Sequence, residues 1–168
     1  MDCIIKNLNI NKNLPLLICD ADEVLFEFMK SFEIYLNENQ MYFSYNSFKL
    51  NGNIFNIANN KPINSAEIPN IINDFFKNYT IKMPLIYGAK ETLKKLSNSL
   101  NIIILSNIPE TSALDRMNYL KQNDMNYNFI SNRGPKGSIC KKLSKLTTKT
   151  TFFIDDLPNQ IKSVKKES

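Results

Sequence analysis

Four short apolar runs along the chain predict buried β-strands, because a continuous run of large apolar residues is typical of a strand covered on both faces. The runs cover residues 14–19, 102–105, 128–130 and 151–154. A polar residue follows each run directly: Asp20, Ser106, Ser131 and Asp155. The pattern therefore predicts four strands with a polar side chain at each carboxyl end.

Segments with apolar residues at helical spacing alternate with these runs. The predicted helices cover residues 23–37, 88–97, 110–122, 137–146 and 157–167. Because strands and helices alternate, we expect an α/β fold with a doubly wound, Rossmann-like parallel sheet. Ligands of such sheets bind beyond the carboxyl ends of the strands, which is where the polar residues lie.

The stretch from about residue 42 to residue 83 departs from this alternation. It is rich in Asn, Ile and aromatic residues, and it carries too many large apolar residues for a disordered linker. We predict a small helical cap at residues 26–83, inserted after the first strand, and an α/β core formed by residues 1–25 and 84–168. Four aromatic residues of the cap either pack its interior or stack on a ligand ring: Tyr42, Phe43, Tyr45 and Phe48.

The absence of histidine from the 168 residues narrows the chemistry. It excludes a Ser–His–Asp triad, a Cys–His pair and a histidine-ligated zinc site. If the protein is an enzyme, its proton transfers must use carboxylate, lysine, tyrosine or cysteine side chains.

Charge and cysteine content bear on the partners and the compartment of the protein. The net charge of +5 suits an anionic partner, which can be a phosphorylated metabolite, a nucleic acid or an anionic lipid, but the lysines are spread along the chain, so nucleic-acid binding is not expected. Three cysteines without a CxxC pair argue against a disulfide framework or a zinc site, and they fit a reducing, cytoplasmic compartment. No segment approaches the roughly 18 apolar residues of a membrane span.

Acidic residues follow the first and the fourth predicted strand. Asp20 and Asp22 leave the first strand on the same side, and repulsion between them favours separate pKa values, so that one can be a nucleophile and the other a proton donor. Taken alone, this pair also fits a turn or a loose cation site. Asp155 and Asp156 suit Mg²⁺, a hard cation that takes oxygen ligands.

Three further polar residues are candidates for phosphate binding. Ser106 and Asn107 follow the second strand, and Lys136 opens the helix before the fourth strand. A strand-terminal hydroxyl can donate to a phosphate oxygen, and a lysine can neutralise an anionic site. Each residue on its own also fits a helix cap or a surface turn. Lys141 and Lys142 are alternative candidates for the lysine position.

The order of these polar residues resembles that of the haloacid dehalogenase-like (HAD) superfamily of phosphohydrolases. The residues that carry the resemblance are Asp20, Asp22, Ser106, Lys136, Asp155 and Asp156. The resemblance extends from residue 14 to about residue 159. It implies an Asp20 nucleophile that forms an aspartyl-phosphate, and an Asp22 general acid and base. Phosphate would be bound by Ser106, Asn107 and Lys136, and Mg²⁺ by Asp20, the main-chain carbonyl of Asp22, Asp155 and Asp156.

The resemblance implies a Mg²⁺-dependent phosphatase for a small phosphorylated metabolite, such as a nucleotide or a sugar phosphate. A dehalogenase is not expected, because the dehalogenating members of the superfamily work without the acid that Asp22 supplies. The alternative is a catalytically silent module with the same fold that binds phosphate or metal. It is favoured by Glu23, which stands where a glycine is frequent, and by the absence of the usual last core strand, which would leave the strand at residues 151–154 at a sheet edge.

Overall fold

A four-stranded parallel sheet forms the centre of the computed structural model, which describes residue 5, residues 8–47 and residues 49–167. The strands in these ranges are β1 (Leu16–Cys19), β2 (Met41–Phe43), β3 (Ile54–Asn56), β4 (Asn101–Asn107), β5 (Asn128–Asn132) and β6 (Thr151–Ile154). The order across the central sheet is β5-β4-β1-β6. The predicted α/β class with a parallel sheet is confirmed, and the bounds of its four strands differ from the prediction by at most two residues.

Helices cover both faces of this sheet. They are α1 (Phe28–Glu38), α2 (Ile68–Tyr79), α3 (Ala89–Leu96), α4 (Glu110–Gln122), α5 (Gly137–Ser144) and α6 (Pro158–Glu167). The bounds of α4 coincide with the prediction, and α3, α5 and α6 are slightly shorter than predicted. None of the helices among the described residues is both long and apolar enough to cross a membrane.

The helix predicted to start at Glu23 begins only at Phe28. The residues before it form a tight loop, in which the N–H groups of Leu25 and Phe26 both donate to the carbonyl of Ala21. The side chains of Leu25 and Phe26 are buried in this loop as they would be in a helix. The predicted helix therefore began too early, because buried apolar residues in this loop have the same spacing as residues on one face of a helix.

Glu23 adopts the left-handed backbone conformation that favours glycine, with a φ of 56°. The chain thus keeps a glycine-type turn although a glutamate occupies the position. The Glu23 carboxylate accepts a hydrogen bond from the N–H of Met29 at 2.6 Å, which satisfies one of the open donors in the first turn of α1. The glutamate therefore fits the turn and caps the helix that follows.

The cap contains α1 and α2 together with a small antiparallel sheet, in which β2 pairs with β3. This sheet was not predicted from the sequence. Aromatic rings fill the cap, and Phe75 contacts both Phe28 and Phe32 in edge-to-face geometry. Of the aromatic residues singled out in the sequence, Tyr42 stacks on Phe55 within the cap, and Phe48 lies outside the described residues. The division into a core and a cap at residues 26–83 stays a prediction.

Alternate residues of each central strand point to opposite faces of the sheet, which produces two apolar clusters. Leu17 and Cys19 face a large cluster that continues into the cap and includes Leu93 of α3 and Leu120 of α4. On the other face lies a smaller cluster, whose members include Leu16, Ile18, Ile139 and Leu143. The core is thus a three-layer arrangement, in which the ends of β1 and β6 are held side by side.

Strand β6 lies at one edge of the sheet, as expected from the sequence. Among the described residues it pairs with β1 alone, and its sequence of Thr, Phe, Phe and Ile carries no charge. Phe152 and Ile154 are 49% and 45% exposed, although their neighbours on β1, Leu17 and Cys19, are buried. The strand that leads into the acidic pair is therefore covered on one face only.

Gly137 allows α5 and α6 to approach each other closely. A Cβ atom at this position would lie 2.3 Å from the backbone oxygen of Ser163. We expect Gly137→Ala to lower the free energy of unfolding by roughly 1–3 kcal/mol, because neither backbone can move freely to relieve the overlap. Urea denaturation measures the change, and Ser138→Ala at the next, exposed position is the control. Equal stability of the two variants would contradict the close approach.

Candidate active site

The carboxyl ends of β1 and β6 bring three carboxylates together. Asp20 follows β1, and Asp155 and Asp156 follow β6. Because the last residues of the two strands, Cys19 and Ile154, are paired in register, the acidic residues that come next are neighbours across the sheet. One oxygen of each of the three carboxylates lies within 4.8 Å of the others.

Lys136 lies inside this acidic cluster. Its Nζ atom is 2.7 Å from Oδ1 of Asp20 and 2.7 Å from Oδ2 of Asp155, and the side chain is almost completely buried. Gln160 on α6 fixes the backbone of Lys136, because its Oε1 accepts a hydrogen bond from the backbone N–H of Lys136 at 2.9 Å. The turn before it contains Gly134 with a φ of 78°, where only glycine is free of strain. The exposed Lys141 instead pairs with Glu167.

The cluster holds more negative charge than Lys136 alone can balance. Burial, followed by the charges of Asp22 and Asp155, raises the pKa of Asp20 to about 7 despite the opposing effect of Lys136. Asp156 is more exposed, but partial burial of its carboxyl group and the charge of Asp155 raise its pKa to about 6. Closely spaced carboxylate oxygens with excess negative charge are the donor set that suits a hard divalent cation. The residues present therefore fit a hard divalent cation.

The raised pKa values predict that the metal-free protein loses stability as pH increases from about 4 to about 7. An aspartate in the unfolded chain ionises near 3.8, whereas folded Asp20 keeps its proton up to about 7. Between these values the folded state binds a proton that the unfolded state has released, so the free energy of unfolding decreases as the pH rises, by a total on the order of 4 kcal/mol.

Melting temperatures at about pH 5 and about pH 8, with and without Mg²⁺, test this prediction. We expect Mg²⁺ to raise the melting temperature more at the higher pH, where the carboxylates are ionised and their repulsion is largest. Asp20→Asn removes the main titrating group and should flatten the pH dependence. A metal-free protein that is as stable at the higher pH as at the lower one would refute it.

Asp22 stands beside this cluster and is held by two donors. The Nη2 atom of Arg116 donates to Oδ1 of Asp22 at 2.8 Å, and the Ser106 hydroxyl donates to Oδ2 at 3.3 Å. The Arg116 side chain is completely buried, whereas that of Asp22 is 17% exposed. Both oxygens of the Asp22 carboxylate are therefore held in place, one from α4 and the other from β4.

Arg116 lies in an otherwise apolar environment. Its guanidinium carbon is 4.4 Å from the centre of the Phe26 ring, and its Nη2 atom also contacts the sulfur of Met83. Two of its buried nitrogens, Nε and Nη1, have no hydrogen-bond partner among the described residues. Within the described chain, Asp22 is the one acidic residue that pairs with this arginine. The pair is therefore strongly interdependent.

The other predicted phosphate-binding residues contact protein groups. Ser106 is fully buried and donates to Asp22. The amide nitrogen of Asn107 donates to the carbonyl of Gly134 at 2.9 Å, and its oxygen accepts from Asn132 at 2.8 Å. The structure thus brings all seven predicted site residues to one end of the sheet, but it gives Ser106 and Asn107 partners within the protein.

A cavity of about 470 Å³ opens above the acidic cluster. Asp20, Asp22, Asp156 and Lys136 line its floor, and side chains of the cap form the opposite wall. Its volume lies in the range of about 300–1,000 Å³ that is typical of small-molecule sites. The cavity can therefore hold a small ligand whose anionic end meets the carboxylates and Lys136.

Two polar residues of this region do not follow from the sequence analysis. The side chain of Gln160 accepts a hydrogen bond from the backbone N–H of Lys136, and it also lines the cavity. Arg116 lies four residues from the buried Ser112 and four from the buried Leu120, so it occupies the inner face of α4. The spacing of Arg116 from Ser112 and Leu120 could have indicated a buried arginine, but an arginine at this spacing fits a solvent-exposed helix face equally well.

The fold is similar to that of a known hydrolase. A HAD-superfamily hydrolase from Ehrlichia chaffeensis matches with a TM-score of 0.53 and 18% sequence identity, and the match covers 94% of this chain and 86% of that chain. No family model matches the sequence, and no curated protein matches it. The likeness confirms the predicted fold: the chain has an α/β core with a Rossmann-like parallel sheet, similar to that of this hydrolase.

Proposed function

We propose that the protein is a HAD-type hydrolase, and specifically a Mg²⁺-dependent phosphatase that cleaves small phosphate monoesters through an aspartyl-phosphate. The observation that carries the proposal is the contact of Lys136 with both Asp20 and Asp155 on the floor of a cavity of ligand size. A lysine in that position attracts a phosphate group to the carboxylate that would attack it. The fold of the hydrolase neighbour supports the same reaction class.

Asp20 and Asp22 divide the chemistry between them. A carboxylate oxygen of Asp20 forms a bond to phosphorus while the bond from phosphorus to the ester oxygen breaks, and Asp22 donates a proton to the departing alkoxide. In the second half, Asp22 takes a proton from a water molecule that attacks phosphorus, and the bond to Asp20 breaks to release inorganic phosphate. The contacts of Asp22 with Arg116 and Ser106 orient its carboxyl group for both transfers.

The metal would be held by Asp20 and Asp156, with Asp155 and the Asp22 carbonyl nearby. Asp156 is the better direct ligand of the acidic pair, because it lines the cavity, whereas both oxygens of Asp155 already accept hydrogen bonds, from Lys136 and from the N–H of Leu157. When bound, Mg²⁺ supplies positive charge that offsets the repulsion between carboxylates and phosphate.

A catalytically silent phosphate- or metal-binding module is the second candidate. It is favoured by the internal partners of Ser106 and Asn107: Ser106 does not line the cavity, and the amide group of Asn107, which does, already contacts Gly134 and Asn132. The silent module would bind Mg²⁺ and phosphate without turnover. The phosphatase would bind both and release inorganic phosphate.

Hydrolysis of a generic aryl phosphate with Mg²⁺, and with a chelator in its place, separates the two candidates. We expect release of inorganic phosphate that depends on added Mg²⁺ and that returns when the chelated sample is reloaded. Binding of Mg²⁺ and a phosphate mimic without turnover of any ester would favour the silent module. Activity that is unchanged by the chelator would contradict the proposed metal dependence.

A further inference from the structure

The cavity above the acidic cluster has two chemically different walls. Its floor holds carboxylates and Lys136, whereas its cap wall is mainly apolar, with Tyr45 and Ser47 as its polar members. The apolar lining residues are Phe28, Met29, Phe43, Leu50, Ile72 and Phe76. An ester whose phosphate lies on the floor must therefore place its alcohol part against the apolar wall.

The apolar wall is supported by the aromatic packing of the cap. Phe28 stacks on Phe32 with ring centres 5.5 Å apart and meets Phe75 edge to face at 5.2 Å. Phe32 and Phe75 are completely buried, so they fix the ring of Phe28 from behind. A wall that is already packed loses little conformational freedom when a ligand covers it, which favours binding.

The cavity offers little to a charged or strongly hydrated alcohol. Lys136 is the one cationic side chain among the described lining residues, and it is occupied by Asp20 and Asp155. Glu23 adds a negative group beside the cap, with one oxygen bound to the N–H of Met29. The hydroxyl of Tyr45 donates to Glu33 at 2.7 Å. A carboxylate or a second phosphate on the alcohol would find repulsion here, and a polyol would lose hydrogen bonds to water.

We propose, on the basis of the proposed function, that the site selects phosphate monoesters of uncharged, apolar alcohols, with alkyl or aryl groups that cover the cap wall. Sugar phosphates and esters that carry a second anionic group are then poor substrates. This preference narrows the substrate class of the phosphatase and assigns the selection to the cap.

A pair of esters with the same shape tests the selection. Cyclohexylmethyl phosphate and a hexose phosphate both carry a six-membered ring on a primary ester carbon, and they differ in the ring hydroxyls. The hydroxyls make the sugar alcohol the better leaving group, so a preference for the cyclohexyl ester cannot arise from intrinsic reactivity. We expect its kcat/KM to be higher by roughly tenfold or more.

Binding of the two non-hydrolysable phosphonates, in which a methylene group replaces the ester oxygen, separates selection from catalysis. Calorimetry with Mg²⁺ present should show about tenfold tighter binding of the cyclohexyl compound. If neither ester is hydrolysed but the cyclohexyl phosphonate binds selectively, the proposed phosphatase activity fails and the selection stands. If the esters are hydrolysed and the hexose compound binds as tightly, the selection fails and the activity stands.

A matched pair of variants on α1 assigns the selection to the wall. Met29 lines the cavity, whereas Ile34 is 49% exposed on the same helix. Met29→Gln preserves length and helix propensity, and we expect it to raise KM for the cyclohexyl ester roughly tenfold while kcat changes little. Ile34→Gln should change neither constant. Equal effects of the two substitutions, or an equal loss for both esters, would overturn the assignment.

Discussion

Asp20→Asn is expected to abolish hydrolysis, with a loss in kcat of roughly 10⁴-fold, because an amide cannot form the aspartyl-phosphate. The substitution should also stabilise the metal-free protein at about pH 8, since it removes a buried negative charge whose pKa is raised to about 7. The asparagine can still accept the hydrogen bond from Ala21, and Lys136 keeps its contact with Asp155. Loss of activity together with a higher melting temperature would identify Asp20 as a chemical participant.

Asp74→Asn is the control for this experiment. Asp74 lies exposed on α2, away from the acidic cluster, so its substitution should leave both kcat and the melting temperature near the parent values. Activity of Asp20→Asn close to that of the control would remove Asp20 from the mechanism. A lower melting temperature of Asp20→Asn would contradict the interpretation that the cluster carries excess negative charge.

Asp22→Asn should destabilise the protein strongly, by roughly 3 kcal/mol. The substitution leaves the guanidinium of Arg116 buried beside Phe26 without a counter-charge, and an uncompensated charge of this kind is expensive. The double variant Asp22→Asn with Arg116→Met should recover most of the loss, because methionine matches the apolar surroundings. Urea denaturation of the two single variants and the double variant gives the coupling free energy.

A surface ion pair of similar length is the control for that cycle. Lys90 and Asp124 are 2.7 Å apart, but Asp124 is 79% exposed, so water replaces the lost partner and the coupling should be small. Activity is measured separately. Arg116→Met keeps Asp22 but removes a donor that orients its carboxyl group, so we expect kcat to fall more than KM rises. A double variant no more stable than Asp22→Asn would show that the buried pair is not interdependent.

The strands and their polar ends were predictable because each strand is a short run of apolar residues followed by a polar one. Burial on both faces explains this pattern for β1 and β4, whereas β6 is equally apolar although it is half exposed at the edge of the sheet. The run that ends at Cys19 pairs with the run that ends at Ile154, and the next residue on each strand is the aspartate that the pattern singles out. Parallel strands in register bring residues more than a hundred positions apart to one place. The acidic part of the site therefore follows from the sequence once the sheet is assumed.

The loop after β1 and the contacts of Arg116 were not predictable in the same way. Leu25 has helical spacing with Phe28, yet the backbone of Leu25 and Phe26 forms a turn, because burial constrains the side chains and does not fix the backbone conformation. The short strands β2 and β3 span three residues each and leave too little periodicity to detect. The burial of Arg116 depends on the cap and core packing around it, which the residue type alone does not reveal.

The uncovered edge strand β6 has a consequence for how the purified protein behaves at high concentration. No other described strand pairs with the backbone donors and acceptors of its outer side, and the strand contains no charged residue that would disfavour pairing with another molecule. Phe152 and Ile154 add exposed apolar surface to the same edge. Two molecules that meet there can extend one sheet into another, so precipitation is expected to begin at the strand that leads directly to Asp155.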